Sequence, residues 1–268
     1  MTVFIFLLYL SVGIVLTLPV LPLGREGRGF YLFCAALALA LGGVSLALRV
    51  IQPDAVGANG HLALAGLPLA AYACYLGGTA AAIFAEIAGR RPRLLTLGAA
   101  LVGVAAILAD THVLHHDRSI IRAAAWLHPL NAVSSAWLAG SVLTAMILGH
   151  YYLVMPKASI EPLMAAFKFS LWGLVVRVIL VATASILWWT GRTPGPIDPA
   201  RLIGDGMFVA QRMLFGLALP ASLGYMTWKT IAMRSTQSAT GILYVVVFLT
   251  LVGEALSVYL SFATTVPI

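Results

Sequence analysis

The chain predicts an all-α, polytopic integral membrane protein, a bundle of about eight transmembrane helices. Three observations predict it. Hydrophobic residues make up 61% of the 268 positions and charged residues only 9%, whereas a soluble domain carries roughly 25% charged residues. The mean hydropathy is +0.99. Eight apolar stretches, at 3–21, 30–50, 62–88, 94–111, 129–154, 163–189, 202–228 and 241–262, approach or exceed the length of about 20 residues that spans a bilayer at 1.5 Å per residue.

Each element has its own signals. The first stretch lacks a basic leader and an Ala-x-Ala site, so it reads as a helix and not as a signal peptide. The glycine- and arginine-rich run 24–29 separates it from the second, and Gln52-Pro53-Asp54 opens the break before the third. Pro68 inside the third stretch and Pro220 inside the seventh predict kinks or local openings. Gly89 to Arg93 divides the third from the fourth, and His128-Pro129 opens the fifth. The sixth ends at Trp188 and Trp189 before the Arg192-Thr193-Pro194-Gly195-Pro196 break, and the seventh at Trp228 before Lys229. These tryptophans read as interface anchors. The polar run 234–241 is an inner turn that caps the eighth helix through a Ser or Thr. With no polar stretch longer than a loop, residues 1–268 read as a single transmembrane domain.

Charge and cysteines narrow the class further. The net charge is +7, but the basic residues are scattered over short loops, which orients a membrane protein and does not build a nucleic-acid surface. Cys34 and Cys74 lie in apolar runs and read as small buried hydrophobes. Arg25, Arg28, Arg90, Arg91, Arg93, Lys157, Lys229 and Arg234 fall on one side of the alternating spans, against Arg49, Arg118, Arg122, Arg192 and Arg201 on the other. Eight against five makes the first side cytoplasmic and puts both termini on the non-cytoplasmic face of the cell membrane. Small residues at Gly42, Gly43, Gly77, Gly78, Gly98, Gly103, Gly140, Gly216 and Gly224 predict close helix packing.

Arg177, Arg212 and Glu254 sit far inside apolar spans, where a charge demands a partner, a ligand or water. Counted from one rim they lie roughly 12 to 18 Å deep, so they form one layer. The simplest arrangement is an Arg212–Glu254 pair, which leaves Arg177 for an anion such as a haem propionate, a carboxylate or a phosphate. Glu254 is also a candidate proton carrier. Gln211, Ser257 and Tyr259 are neighbouring polar groups in the same two helices.

Five of six histidines gather at one predicted rim: His61, His112, His115, His116 and His128. His112 and His116 lie one helical turn apart, a usable spacing for one metal, with His128 as a third ligand and Asp110 and Asp117 nearby. Neutral imidazoles also suit haem iron. His128 and His150 are about 33 Å apart if one helix joins them, too far to serve two stacked haems in a shared bilayer. His150 with Tyr151 and Tyr152 belongs to the opposite interface belt.

Walker, dinucleotide-binding, Cys-x-x-Cys-His and His-Glu-x-x-His motifs are all absent, which argues against a soluble-type enzyme. The leading expectation is a membrane subunit of an electron-transfer assembly, respiratory or photosynthetic in type, that binds haem b or quinone. Its cofactor-binding candidates are His61, His112, His115, His116, His128, Arg177, Arg212 and Glu254; its metal candidates are His112, His116 and His128. Its partners are the lipid bilayer and other membrane subunits. The competing expectations are a proton-coupled transporter of a small anion, with Pro220 breaking a helix near the substrate, and a non-catalytic scaffold subunit.

Overall fold

The computed structural model describes residues 2–51, 62–90, 92–115, 126–155, 159–190 and 199–263. Among them the chain is helical with no strand, and eight helices are long and apolar enough to cross a membrane. The elements are α1 (Thr2–Thr17), α2 (Arg28–Ile51), α3 (Leu62–Ile87), α4 (Arg93–His115), α5 (Leu127–Val154), α6 (Glu161–Thr190), α7 (Pro199–Met213), α8 (Leu219–Ala232) and α9 (Thr236–Ala263). A multi-pass membrane protein follows from their number, length and apolarity. The expected breaks at 52–61, 116–125, 156–158 and 191–198 lie outside the described residues, and with them Arg118, Arg122, Lys157 and Arg192.

The element ends have local causes. After α1 the chain tightens into a 3-10 turn, Leu18–Val20, with Pro19 in it. Proline fits the first turn of a helix because its missing N–H has no intrahelical partner there. α3 stops where Gly89 takes φ +76; its N–H bonds Glu86 O and the Arg90 N–H bonds Ala85 O, the paired closure that glycine permits at a helix end. α8 closes identically at Arg234, whose φ of 56 is unusual for a residue with a Cβ.

The seventh span is two helices. α7 and α8 are joined by a π-helical segment, Leu214–Ala218. Pro220 supplies no N–H to the ladder, so the turn before it widens, and the kink expected from sequence takes this form.

α1 and α5 are the central helices, each 72% buried over its apolar window, while the α7–α8 span is 22% buried. They meet where Gly13 faces Gly140: a Cβ on either would overlap the backbone of the other helix. α2, α4 and α9 complete the shell around α1, and α6 and α9 flank α5. Large apolar side chains such as Phe84 and Leu101 point outward, as lipid-facing positions do.

Candidate functional site

Four helices bring one polar layer together inside this apolar frame. Asn131, Ser134 and Ser135 on α5 are three and four residues apart and so share a face, as Glu254 and Ser257 do on α9. Arg177 enters from α6 and Arg212 from α7. Arg177, Arg212 and Glu254 are each 0% exposed. Arg177 grips the Glu254 carboxylate with two prongs, Nε to Oε1 at 3.2 Å and Nη2 to Oε2 at 2.9 Å. Its Nη2 also donates to Ser257 Oγ at 2.6 Å. Its Nη1 donates to the Asn131 side-chain oxygen, to the Asn131 carbonyl at 3.2 Å and to Ser134 Oγ at 3.3 Å. Arg212 Nη2 donates to Glu254 Oε1 at 2.9 Å, and Ser135 Oγ donates to Oε2 at 2.6 Å.

The three charges do form one layer and Arg212 pairs with Glu254 as expected, but the same carboxylate also takes Arg177. Arg177, expected to be left over, is the fully engaged arginine. Arg212 pairs with Glu254 through one nitrogen, and its Nε and Nη1 have no partner among the described residues. The reason is azimuth: the α5 acceptors face α6, and residue counting along a helix reports depth without direction. Arg212 fits because two glycines make room. A Cβ on Gly216 would overlap its Nη1, and one on Gly253 would lie 3.1 Å from it.

A second buried pair joins α2 to α4. Arg49 Nη1 meets Asp110 Oδ1, with the two side chains 3% and 5% exposed. Tyr72 OH donates to Asp110 Oδ2 at 2.8 Å. The Arg49 guanidinium carbon lies 5.4 Å from the Tyr72 ring centroid and 5.9 Å from that of Phe4, within cation–π reach. Arg49 is therefore an interior charge and not the loop charge that its place at a span end implied. Removing it from the loop comparison leaves eight basic residues against four.

Between the two charged groups lies a cavity of about 20 Å³, room for a single water. Asp110 and His128 line one part of it, and Asn131, Ser135 and Ser257 another. The cavity thus touches the carboxylate of one network and hydrogen-bonding members of the other. A haem-sized ligand needs a pocket of several hundred Å³, so the space beside His128 fits water and not a macrocycle.

The other candidate residues are spread along the frame. His128 is buried at the start of α5, and His150 sits at its far end, where Nδ1 is 2.9 Å from Tyr244 OH. The opposite-rim placement of these two is as expected. His112 and His115 fall in α4 by backbone; their side chains, and His61 and His116 entirely, lie outside the described residues. Among the described residues no group of three metal-ligating side chains comes together. Ser257 joins the layer, whereas Tyr259 is 47% exposed and packs at a tilt against Phe208, 5.5 Å between centroids. Asn131, Ser134, Ser135, Tyr72 and the Arg49–Asp110 pairing escape a sequence reading centred on charges at span midpoints. The i, i+3, i+4 spacing of polar groups on α5 was the signal for the first three. Comparison with protein-family models, curated proteins and solved structures finds no match.

Proposed function

We propose that the chain is an integral membrane subunit of an electron-transfer assembly that carries haem b or quinone at its histidine-bearing rim and handles protons in its interior. The observation that carries the proton-handling part of this reading is the water-sized polar cavity between the Arg49–Asp110 pair and the Arg177–Glu254–Arg212 layer. A quinone or haem, when bound, supplies the electron chemistry, and the protein supplies position and electrostatics. A water in the cavity would be within reach of a carboxylate, an imidazole and hydroxyls, the groups that pass protons inside membranes. Asp110 and His128 form the rim-side wall of the cavity and would exchange protons with such a water. Ser135 and Ser257, hydrogen-bonded to Glu254 and Arg177, fix the opposite wall. The histidines at 61, 112, 115 and 116 are the candidate ligands of the redox group, while His128, expected from sequence as a further ligand, faces a cavity too small for it and serves that cavity instead. Its partners are the bilayer and neighbouring membrane subunits.

The membrane is the cell membrane, with the α1–α2 and α3–α4 turns on the cytoplasmic side and both termini outside. The loop-charge rule supports this orientation, more strongly once Arg49 is counted as interior. The experiment for the redox reading is a visible spectrum of the purified protein with analysis of its lipid-soluble extract. A Soret band or bound quinone supports it; neither being present refutes it.

A second reading, proton-coupled transport, is favoured by one observation. The π segment and Pro220 interrupt the seventh span directly after Arg212, and interrupted helices are where transporters build their sites. Uptake into liposomes that survives Glu254→Gln would remove Glu254 from proton coupling.

A further inference from the structure

At the rim opposite the histidines, the end of α1, the start of α2, the end of α3 and the start of α4 enclose a cleft of about 740 Å³. That size lies within the range of pockets that bury small ligands. Its polar side carries three guanidiniums, Arg28, Arg90 and Arg93, against one carboxylate, Glu86. Its apolar side is the Leu18–Leu23 connection, and the Tyr31–Thr96 hydroxyl pair, 2.6 Å apart, also lines it. Two of the arginines are held in place by the fold. Arg28 Nη2 donates to the carbonyls of Glu86 at 2.8 Å and Ile87 at 2.9 Å, and Arg93 Nε donates to Pro19 O at 3.1 Å. Arg28 Nε also faces the Glu86 carboxylate at 3.7 Å, which leaves its Nη1, and both Nη atoms of Arg93, free of a hydrogen-bond partner among the described residues. Arg90, delivered by the left-handed turn at Gly89, has an exposed side chain with no partner among the described residues.

Such an arrangement has a specific chemistry. Planar guanidinium forks match phosphate oxygens, and a phosphate offers more acceptor sites than a carboxylate. The spans end at Val20 and Ile87 and begin at Arg28 and Arg93, so the cleft straddles the level where lipid headgroups lie. Basic pockets between transmembrane helices at this level recognise anionic headgroups. We propose that this cleft is a binding site for a phosphate group, carried by an anionic phospholipid or by a water-soluble phosphate ester. The apolar wall of residues 18–23 then takes the start of an acyl chain or the body of the ester.

The test uses the full chain purified in mild detergent, with thermal unfolding followed as phosphatidylglycerol, phosphatidylcholine or inorganic phosphate is added. Phosphatidylglycerol is expected to raise Tm more than phosphatidylcholine does. Arg90→Gln should weaken the apparent affinity roughly ten-fold, the equivalent of one charge-assisted hydrogen bond. Arg90 holds no other part of the fold, so the variant remains foldable, and Arg93→Lys, which keeps the charge but loses the fork, should weaken binding as well. Lys229→Gln, on the same rim outside the cleft, should leave it unchanged. Protection by inorganic phosphate alone, lost in Arg90→Gln, assigns the site to a soluble ester; protection by phosphatidylglycerol alone assigns it to lipid. Equal responses to both lipids with none to phosphate would overturn the proposal. So would a loss in Lys229→Gln as large as that in Arg90→Gln.

Discussion

Arg177 and Arg212 share one carboxylate but not one role. Arg177 spends its donors on Glu254, Asn131, Ser134 and Ser257, while Arg212 makes a single contact and brings the surplus positive charge. Their substitutions should therefore differ. Arg212→Met leaves a neutral two-pronged pair and should change stability by less than about 1 kcal/mol, because a surplus buried charge costs desolvation it does not recover. Arg177→Met strands several buried polar groups and should cost roughly 2–4 kcal/mol. Glu254→Gln leaves two guanidiniums facing each other and should cost the most, about 3–5 kcal/mol. Unfolding of the purified protein by SDS in mixed micelles ranks the three. Equal losses for the two arginine variants would contradict the assignment. The layer itself was legible in sequence because a charge deep in an apolar run stands out. The Arg212–Glu254 pair was legible too, but the engagement of Arg177 was not, since depth follows from counting while azimuth depends on how α5, α6 and α9 turn toward one another. Arg49 and Asp110 were missed for the opposite reason: near a span end, a charge reads as solvated.

Among the elements, glycines divide into those that let helices touch and those that do not. Gly13 and Gly140 bring α1 against α5, and Gly216 and Gly253 bring the π segment against α9 around Arg212. A Cβ at Gly43, Gly77 or Gly98 meets nothing within 4 Å. Gly140→Ala should destabilise by roughly 1–3 kcal/mol, as overpacking a contact does, whereas Gly77→Ala should be neutral or slightly stabilising, since alanine favours helix. The same SDS titration separates them, and a Gly77→Ala loss matching that of Gly140→Ala would refute the packing account. Arg234 gives the converse case. Its left-handed φ of 56 suits glycine, so Arg234→Gly should raise stability by about 1 kcal/mol. All nine glycines flagged in sequence are small residues in apolar runs, and composition alone could not sort contact from open surface. Pro220 was legible as a break, but the π-helical form of that break depends on how the widened turn packs beside Gly253.

At the scale of the whole molecule, the eight spans were the most legible feature, because about 20 apolar residues in a row have few other uses. Orientation rests on loop charge, and one labelling experiment decides it. Gln237→Cys, in the exposed first turn of α9, on a Cys74→Ser background, should resist an impermeant maleimide on intact cells and react once the membrane is opened. Labelling of intact cells would invert the topology and place the arginine cleft outside. In the proposed function this bundle binds a redox group at one rim and manages protons within. This is tested most directly by the visible absorption spectrum and extractable quinone of the protein purified in mild detergent. A Soret band, or bound quinone in near-stoichiometric amount, is expected; a colourless protein free of quinone would contradict the proposal.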